Sequence, residues 1–144
     1  MNRHTGYYIK QIANRLEAGW NAALKNLDVT GTQLCTLEYL YHNPEKNQVS
    51  DISEFFGVKH TSTLHVLRLL EKKNCIYREE ADNGRRPVGL TQHGIELVKM
   101  NESGAAKMDE IMFSGFSNGE RQTFLCLLKR VNDNLENGGT IHAE

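Results

Sequence analysis

Two short stretches of the chain carry side chains suited to a polyanion. Lys59, His60, His65 and Arg68 fall on one face of an apolar-periodic segment, where their nitrogens can meet phosphate oxygens or the edges of bases. Thr61 and Ser62 lie between them, and their hydroxyls either donate to phosphate or cap the start of a helix. Arg85 and Arg86 are adjacent in a polar, glycine-bearing run, where a guanidinium pair binds phosphate or enters a minor groove. On an ordinary solvated surface the same residues would have no partner, so the elements that present them decide their meaning.

Other reactive residue types do not assemble. Six histidines invite a metal reading, but His60 and His65 are five positions apart, off the i,i+4 spacing by which two ligands share a helix face. No carboxylate or cysteine completes a set. The three cysteines, Cys35, Cys75 and Cys126, are odd in number and widely spaced without a CxxC, which indicates neither a disulfide framework nor a cysteine zinc site. Cys35 and Cys126 sit within apolar stripes, where inert burial is expected. No Ser/His/Asp or Cys/His spacing accompanies a nucleophile elbow or a glycine loop. No catalytic residue, metal or cofactor is therefore expected, and an enzyme is the least favoured class.

The positioning elements are read from apolar periodicity. Between Thr5 and Leu27, the residues Ile9, Ile12, Leu16, Trp20, Leu24 and Leu27 recur at steps of three or four and predict one long helix. Leu34, Leu37, Leu40 and Tyr41 predict a second over 32–41. Ser50, followed by Asp51 in the first turn, is the expected N-cap of a third helix that carries Ile52, Phe55 and Phe56 and stops at Gly57. A fourth runs over 59–73 with Thr63, Val66, Leu67 and Leu70 inward and Asn74 as a left-handed cap. Residues 75–78 and 87–91 are β-prone and flank the polar stretch 79–86, a two-stranded hairpin with a basic tip. From Thr91 the pattern Ile95, Leu97, Val98, Met100, Met108, Ile111, Met112, Phe113 predicts a long helix interrupted and kinked at Gly104. Ser117 and Glu120 form a capping box for the last helix, which carries Phe124, Leu125, Leu127, Leu128, Val131 and Leu135 and closes at Asn137-Gly138-Gly139. Pro44 and Pro87, the only prolines, fall in loops.

A chain of 144 residues with 39% apolar and 24% charged residues is the size of one globular domain, taken as 1–144. Lys and Arg number 17 against 18 Asp and Glu, a net charge of -1, so the distribution of charge matters more than its sum. The segment after residue 93 is acidic and the remainder mildly basic. The opening MNRHTGYYIKQ has no apolar secretory core, and no run approaches the ~18 apolar residues of a membrane span. A soluble cytoplasmic protein without a membrane partner is expected.

A short helix, a glycine turn, a second helix and a hairpin compose a helix-turn-helix with a wing, which lays its second helix in a DNA major groove. In this order the chain resembles the MarR family of bacterial transcription regulators. Thr32-Gln33 opens the helix before the motif, and Val49-Ser50-Asp51-Ile52 through Phe56-Gly57-Val58 matches the first motif helix and turn. The run from Leu70-Glu71-Lys72-Lys73 through Asn74-Cys75-Ile76-Tyr77-Arg78 is similar to the family's LEKKGLIxR exit from the recognition helix. Asp82 to Arg86 matches the wing, and Leu90-Thr91-Gln92-His93-Gly94 the LTxxG start of the next helix. Asn74 replaces the usual glycine, and the wing, Asp82-Asn83-Gly84-Arg85-Arg86-Pro87, is shorter or shifted. Leu64 stands where the family often has serine or threonine; it either meets a thymine methyl or packs inward.

The fold class is thus mainly α: a winged helix-turn-helix lobe over 31–93 with a two-stranded wing, flanked by long dimerisation helices over 5–30 and 94–136. The apolar stripes of those flanks exceed what the lobe can cover and call for a partner surface. The resemblance implies a homodimer on double-stranded DNA at a pseudo-palindromic operator, with Lys59, His60, Thr61, Ser62, His65, Arg68, Arg85 and Arg86 in contact, acting as a repressor. It also implies a small aromatic or phenolic effector, for which Tyr7, Trp20 and Tyr39 are the aromatic candidates; core and dimer packing is their plainer role. The rival class is a winged-helix adaptor that binds protein and not DNA.

Overall fold

The computed structural model describes residues 4–80 and 85–138. The wing residues Asp82, Asn83 and Gly84 and the tail from Gly139 lie outside the described residues. Contacts divide the chain into two compact units, Met1–Glu102 and Ser103–Glu144.

In the first unit, α1 spans Thr5–Ala23 and is followed by a single 3-10 turn, Lys25–Leu27. The helix expected to reach Leu27 ends four residues earlier. Leu24 and Val29 are buried, and the chain bends between them through Asp28 in the left-handed region (φ 55°). Helix α2, Gly31–His42, starts on a reciprocal capping box: Gln33 N donates to Thr30 Oγ1 and Thr30 N to Gln33 Oε1, each at 3.2 Å. Gly31 N donates to Asn21 Oδ1 at 2.7 Å, tying the start of α2 to α1.

Helix α3, Val49–Phe56, begins two residues before the position that Ser50 would cap. Gln48 is the N-cap, and the Asp51 carboxylate reaches back to its amide at 3.0 Å. The carboxylate three residues past the cap is what that turn requires, and Ser50 with Ser53 lacks it. The helix ends at Gly57 (φ 64°), and α4 follows over His60–Lys72. Thr63, Leu67 and Leu70 are buried, with Val66 and Leu64 half-buried against the same core, so Leu64 takes its inward alternative. Asn74 holds the left-handed position after α4 (φ 58°).

Strands β1, Ile76–Arg78, and β2, Val88–Leu90, pair antiparallel in the register Ile76 with Leu90, Tyr77 with Gly89 and Arg78 with Val88. The core joins Leu34, Leu37 and Leu40 of α2 to Ile52, Leu67, Leu70, Ile76, Val88, Leu97 and Val98. Helix α5 then runs over Gln92–Met112 without a break at Gly104. A glycine inside a helix costs about 1 kcal/mol relative to alanine, too little to interrupt a long helix. The LTxxG start of α5 has a steric cause. Thr91 Oγ1 donates to Asn74 O (2.6 Å) and accepts from Gly94 N (3.1 Å), and a Cβ on Gly94 would lie 2.2 Å from Cys75 O.

In the second unit, α6 spans Asn118–Glu136. Its start is the expected box, with Glu120 N donating to Ser117 Oγ (3.1 Å) and Ser117 N to Glu120 Oε1 (3.0 Å). Phe113 packs edge-on against Phe116 and Phe124, while the Arg121 guanidinium sits 4.8 Å over the Phe113 ring and pairs with Asp109. No residue of α6 is buried. Cys126, expected to be buried inside an apolar stripe, is exposed instead.

Among the described residues no helix is long and apolar enough to cross a membrane.

Candidate functional site

The buried side of α4 determines what the other side shows. Thr63, Leu67 and Leu70 anchor one face, which leaves Lys59, His60, Thr61, His65 and Arg68 exposed. His65, Arg68 and Lys72 line one shallow depression with Leu69 and Glu71, which adds Lys72 to the polar face. Its spacing, seven residues after His65 and four after Arg68, was the available signal. Ser62 differs from the others. Although exposed, it lines a cavity on the side of α4 away from the depression.

Helix α4 is fixed at both ends. Near its start, the Ser53 and Thr63 hydroxyls, both buried, lie 2.9 Å apart, and Ser53 Oγ is 2.8 Å from Val49 O. One proton cannot serve both, so Thr63 donates to Ser53 when Ser53 donates to Val49. Just past its last turn, Lys73 Nζ donates to Asp28 O (2.6 Å) and to Gln33 Oε1 (2.9 Å), joining the end of α4 to the connection between α1 and α2.

The wing is braced at its base. Arg78 Nη2 donates to Arg86 O at 3.1 Å, Glu79 N to Pro87 O at 3.0 Å, and Val88 N to Asn47 O at 2.9 Å. Arg85 and Arg86 are exposed beyond that brace. Burial and the neighbouring Arg86 charge lower the Arg78 pKa, yet a guanidinium so far above neutrality stays charged. Its Nε is buried without a hydrogen-bond partner. Sequence reading missed Arg78 because its role depends on strand register.

A cavity of about 430 Å³ opens between α1 and the helix-turn-helix. Helix α1 contributes Ala13, Leu16, Glu17 and Trp20; α2 contributes Thr32, Cys35 and Thr36. Ile52, Phe56 and Val58 come from α3 and its turn, and Ser62, Thr63 and Val66 from α4. Of the three aromatic candidates only Trp20 lines it. Tyr7 is 69% exposed on α1, and Tyr39 is buried against Phe55 (ring centroids 4.7 Å apart) and Phe56 (6.0 Å). Burial, helped by Asp51 and Glu54, pushes the Tyr39 phenol up. Burial also raises the Cys35 thiol, with Glu38 adding to the effect, so this cavity-wall sulfur stays protonated and unreactive near neutrality. Among the described residues no group of three His, Cys, Asp or Glu side chains converges on a metal position.

Helix, glycine turn, helix with one polar face, and a hairpin tied back at its base define a winged helix-turn-helix. The sequence profile of the MarR family matches residues 27–87. A curated relative, an uncharacterised HTH-type transcriptional regulator, YybA of Bacillus subtilis (strain 168), is 28% identical over 130 residues, covering 89% of this chain and 86% of its own. Among solved structures, the MepR–DNA complex of S. aureus superposes with a TM-score of 0.81 at 28% identity, over 92% of this chain and 96% of that one. A MarR/EmrR family regulator from Acinetobacter sp. ADP1 shares the fold, with a TM-score of 0.85 at 21% identity over 96% of this chain and all (100%) of the other. Residues 27–87 thus match the MarR family, and over most of its length the chain is similar to an HTH-type transcriptional regulator and to a protein solved on DNA.

Proposed function

We propose that the protein is a cytoplasmic homodimeric repressor that occupies a pseudo-palindromic operator and leaves it when a small molecule binds. The observation that carries the DNA reading is the exposed row on α4, whose reverse face is locked into the core. In this reading α4 lies in the major groove, with Lys59, His60, Thr61, His65 and Arg68 toward base edges and phosphates, while Arg85 and Arg86 reach the backbone or minor groove from the wing. Ser62, at the helix start, reaches phosphate only from the cavity side. The flanking helices, 5–30 and 94–136, dimerise, which sets two recognition helices one DNA turn apart. The effector site is the cavity beside Trp20, since its walls include α4 itself.

The test is binding to fluorescent fragments of the protein's own upstream region and to a scrambled control at several salt concentrations. Arg85→Ala/Arg86→Ala should weaken binding and lower the salt slope by about one for each phosphate that is no longer neutralised. Equal, weak binding of the unaltered protein to both fragments would instead favour the protein-binding adaptor.

A further inference from the structure

The outer face of α4 has a titratable ring at its centre. Thr61, His65, Arg68 and Lys72 follow one another at spacings of four, three and four residues, which stacks them in one stripe along the helix. All four are exposed, and the stripe lies opposite Thr63, Leu67 and Leu70 in the core. Arg68 and Lys72 belong to residue types with fixed positive charge near neutrality, whereas an imidazole ordinarily changes charge between pH 5 and 8. His65 shares its shallow depression with Arg68, Leu69, Glu71 and Lys72, all from α4. The charged groups that face it among the described residues are thus Arg68, Lys72 and Glu71, the last of which also interacts with Arg78 of β1.

We propose that His65 couples operator recognition to pH, taking up one proton per recognition helix on docking and reading a base edge as the imidazolium. This rests on the reading of α4 as the helix that enters the groove, and it assigns a proton-dependent part of the specificity to one side chain. The neutral ring has one donor and one acceptor, whereas the charged ring donates through both nitrogens and accepts nothing. Guanine presents two acceptors, N7 and O6, in the major groove and suits the charged ring; the amino group of cytosine finds no acceptor on it. The negative potential of DNA favours the charged ring in the complex, and the proton comes from solvent. Because the complex then holds one more proton per His65 than its free components, each pH unit of acidification strengthens binding by at most about tenfold per docked ring. A phosphate contact would gain equally on any sequence, while a base contact gains on the operator alone.

The test is fluorescence anisotropy of the full-length protein on a labelled upstream fragment and on a scrambled one, at pH 6, 7 and 8 and constant ionic strength. The ratio of the two affinities removes proton effects common to both fragments. For the unaltered protein this ratio should fall at least about fivefold from pH 6 to pH 8. His65→Gln, which still donates but does not titrate, should hold the ratio constant over that range. His60→Gln, whatever it does to affinity, should keep the fall. A fall that survives His65→Gln, or that disappears with His60→Gln, overturns the assignment. Equal pH dependence on both fragments also overturns it and makes His65 a phosphate contact. A clear preference for the upstream fragment that is flat with pH defeats the proton linkage alone and leaves the regulator in place; equal, weak binding to both fragments at every pH defeats the regulator reading as well.

Discussion

The hydroxyls of Ser53 and Thr63 are the smallest groups that set α3 against α4, and both are buried where water cannot replace a missing partner. Thr63→Val keeps the shape and removes the proton that the Ser53 oxygen receives. It should destabilise the protein by about 1–2 kcal/mol in urea unfolding, whereas Thr63→Ser, which keeps the hydroxyl, should lose less than half of that. Glu120 gives a pH-dependent case. Hydrogen bonding to the Ser117 backbone and hydroxyl lowers its carboxyl pKa below the ordinary value, so its stabilisation is complete above the unfolded pKa and fades as pH falls through the folded one. The difference in melting temperature between the unaltered protein and Glu120→Ala should therefore be present at pH 7 and shrink toward pH 3. These two sites also differ in how visible they are before folding. The Ser117 to Glu120 spacing is local and reads directly as a cap. Ser53 and Thr63 are ten residues apart on different helices, and only the turn at Gly57 brings them together.

Among the elements, α4 is the one whose placement matters most, and Lys73 fastens its C-terminal end. Its ammonium bridges Asp28 O and Gln33 Oε1, so the connection from α1, the capping box of α2 and the exit of α4 share one cation. Lys73→Met should cost about 1–2 kcal/mol in unfolding free energy. Gln33→Ala should then cost less in the Lys73→Met background than in the unaltered protein, a coupling of at least ~0.5 kcal/mol in a double-mutant cycle. Additive effects would show that the two interactions are independent. Periodicity found every long helix of this arrangement because each buries or presents a three-to-four-residue stripe. It misplaced the end of α1 because Leu24 and Leu27 continue the stripe's spacing through what is in fact a bend. It also gave Gly104 a break, since a pattern cannot weigh one glycine's small penalty against the rest of a continuous helix. The cavity was invisible in the sequence for a different reason: its walls are the inner edges of four segments whose approach is a tertiary fact, and Glu17 stands in α1 like any solvated acid.

At the scale of the molecule, the apolar surface that the chain leaves uncovered is as informative as its core. Helices α1 and α6 bury none of their residues, and Ile9 and Ile12 on the first and Leu125, Leu128, Val131 and Leu135 on the second are exposed at helical spacing. Scattered apolar residues need no explanation, but an exposed amphipathic stripe on each of these helices does. The proposed homodimer supplies one by pairing each stripe with a second copy. It also answers an energetic requirement: one recognition helix and one wing touch too few bases for a tight site, while two joined lobes make the second binding event effectively intramolecular. Sedimentation should find the unaltered protein at twice its 16.4 kDa chain mass. Leu128→Glu and Ile12→Glu, which place a carboxylate in either stripe, should each shift it toward one chain mass while leaving the helical circular dichroism intact, since neither position supports the lobe's core. The same variants should lose operator affinity by 100-fold or more, on the order of the avidity gained by linking two sites. A wild-type monomer that still binds the full operator tightly would remove the dimer, and with it the expectation of a palindromic site, while leaving the roles of α4 and the wing as they stand.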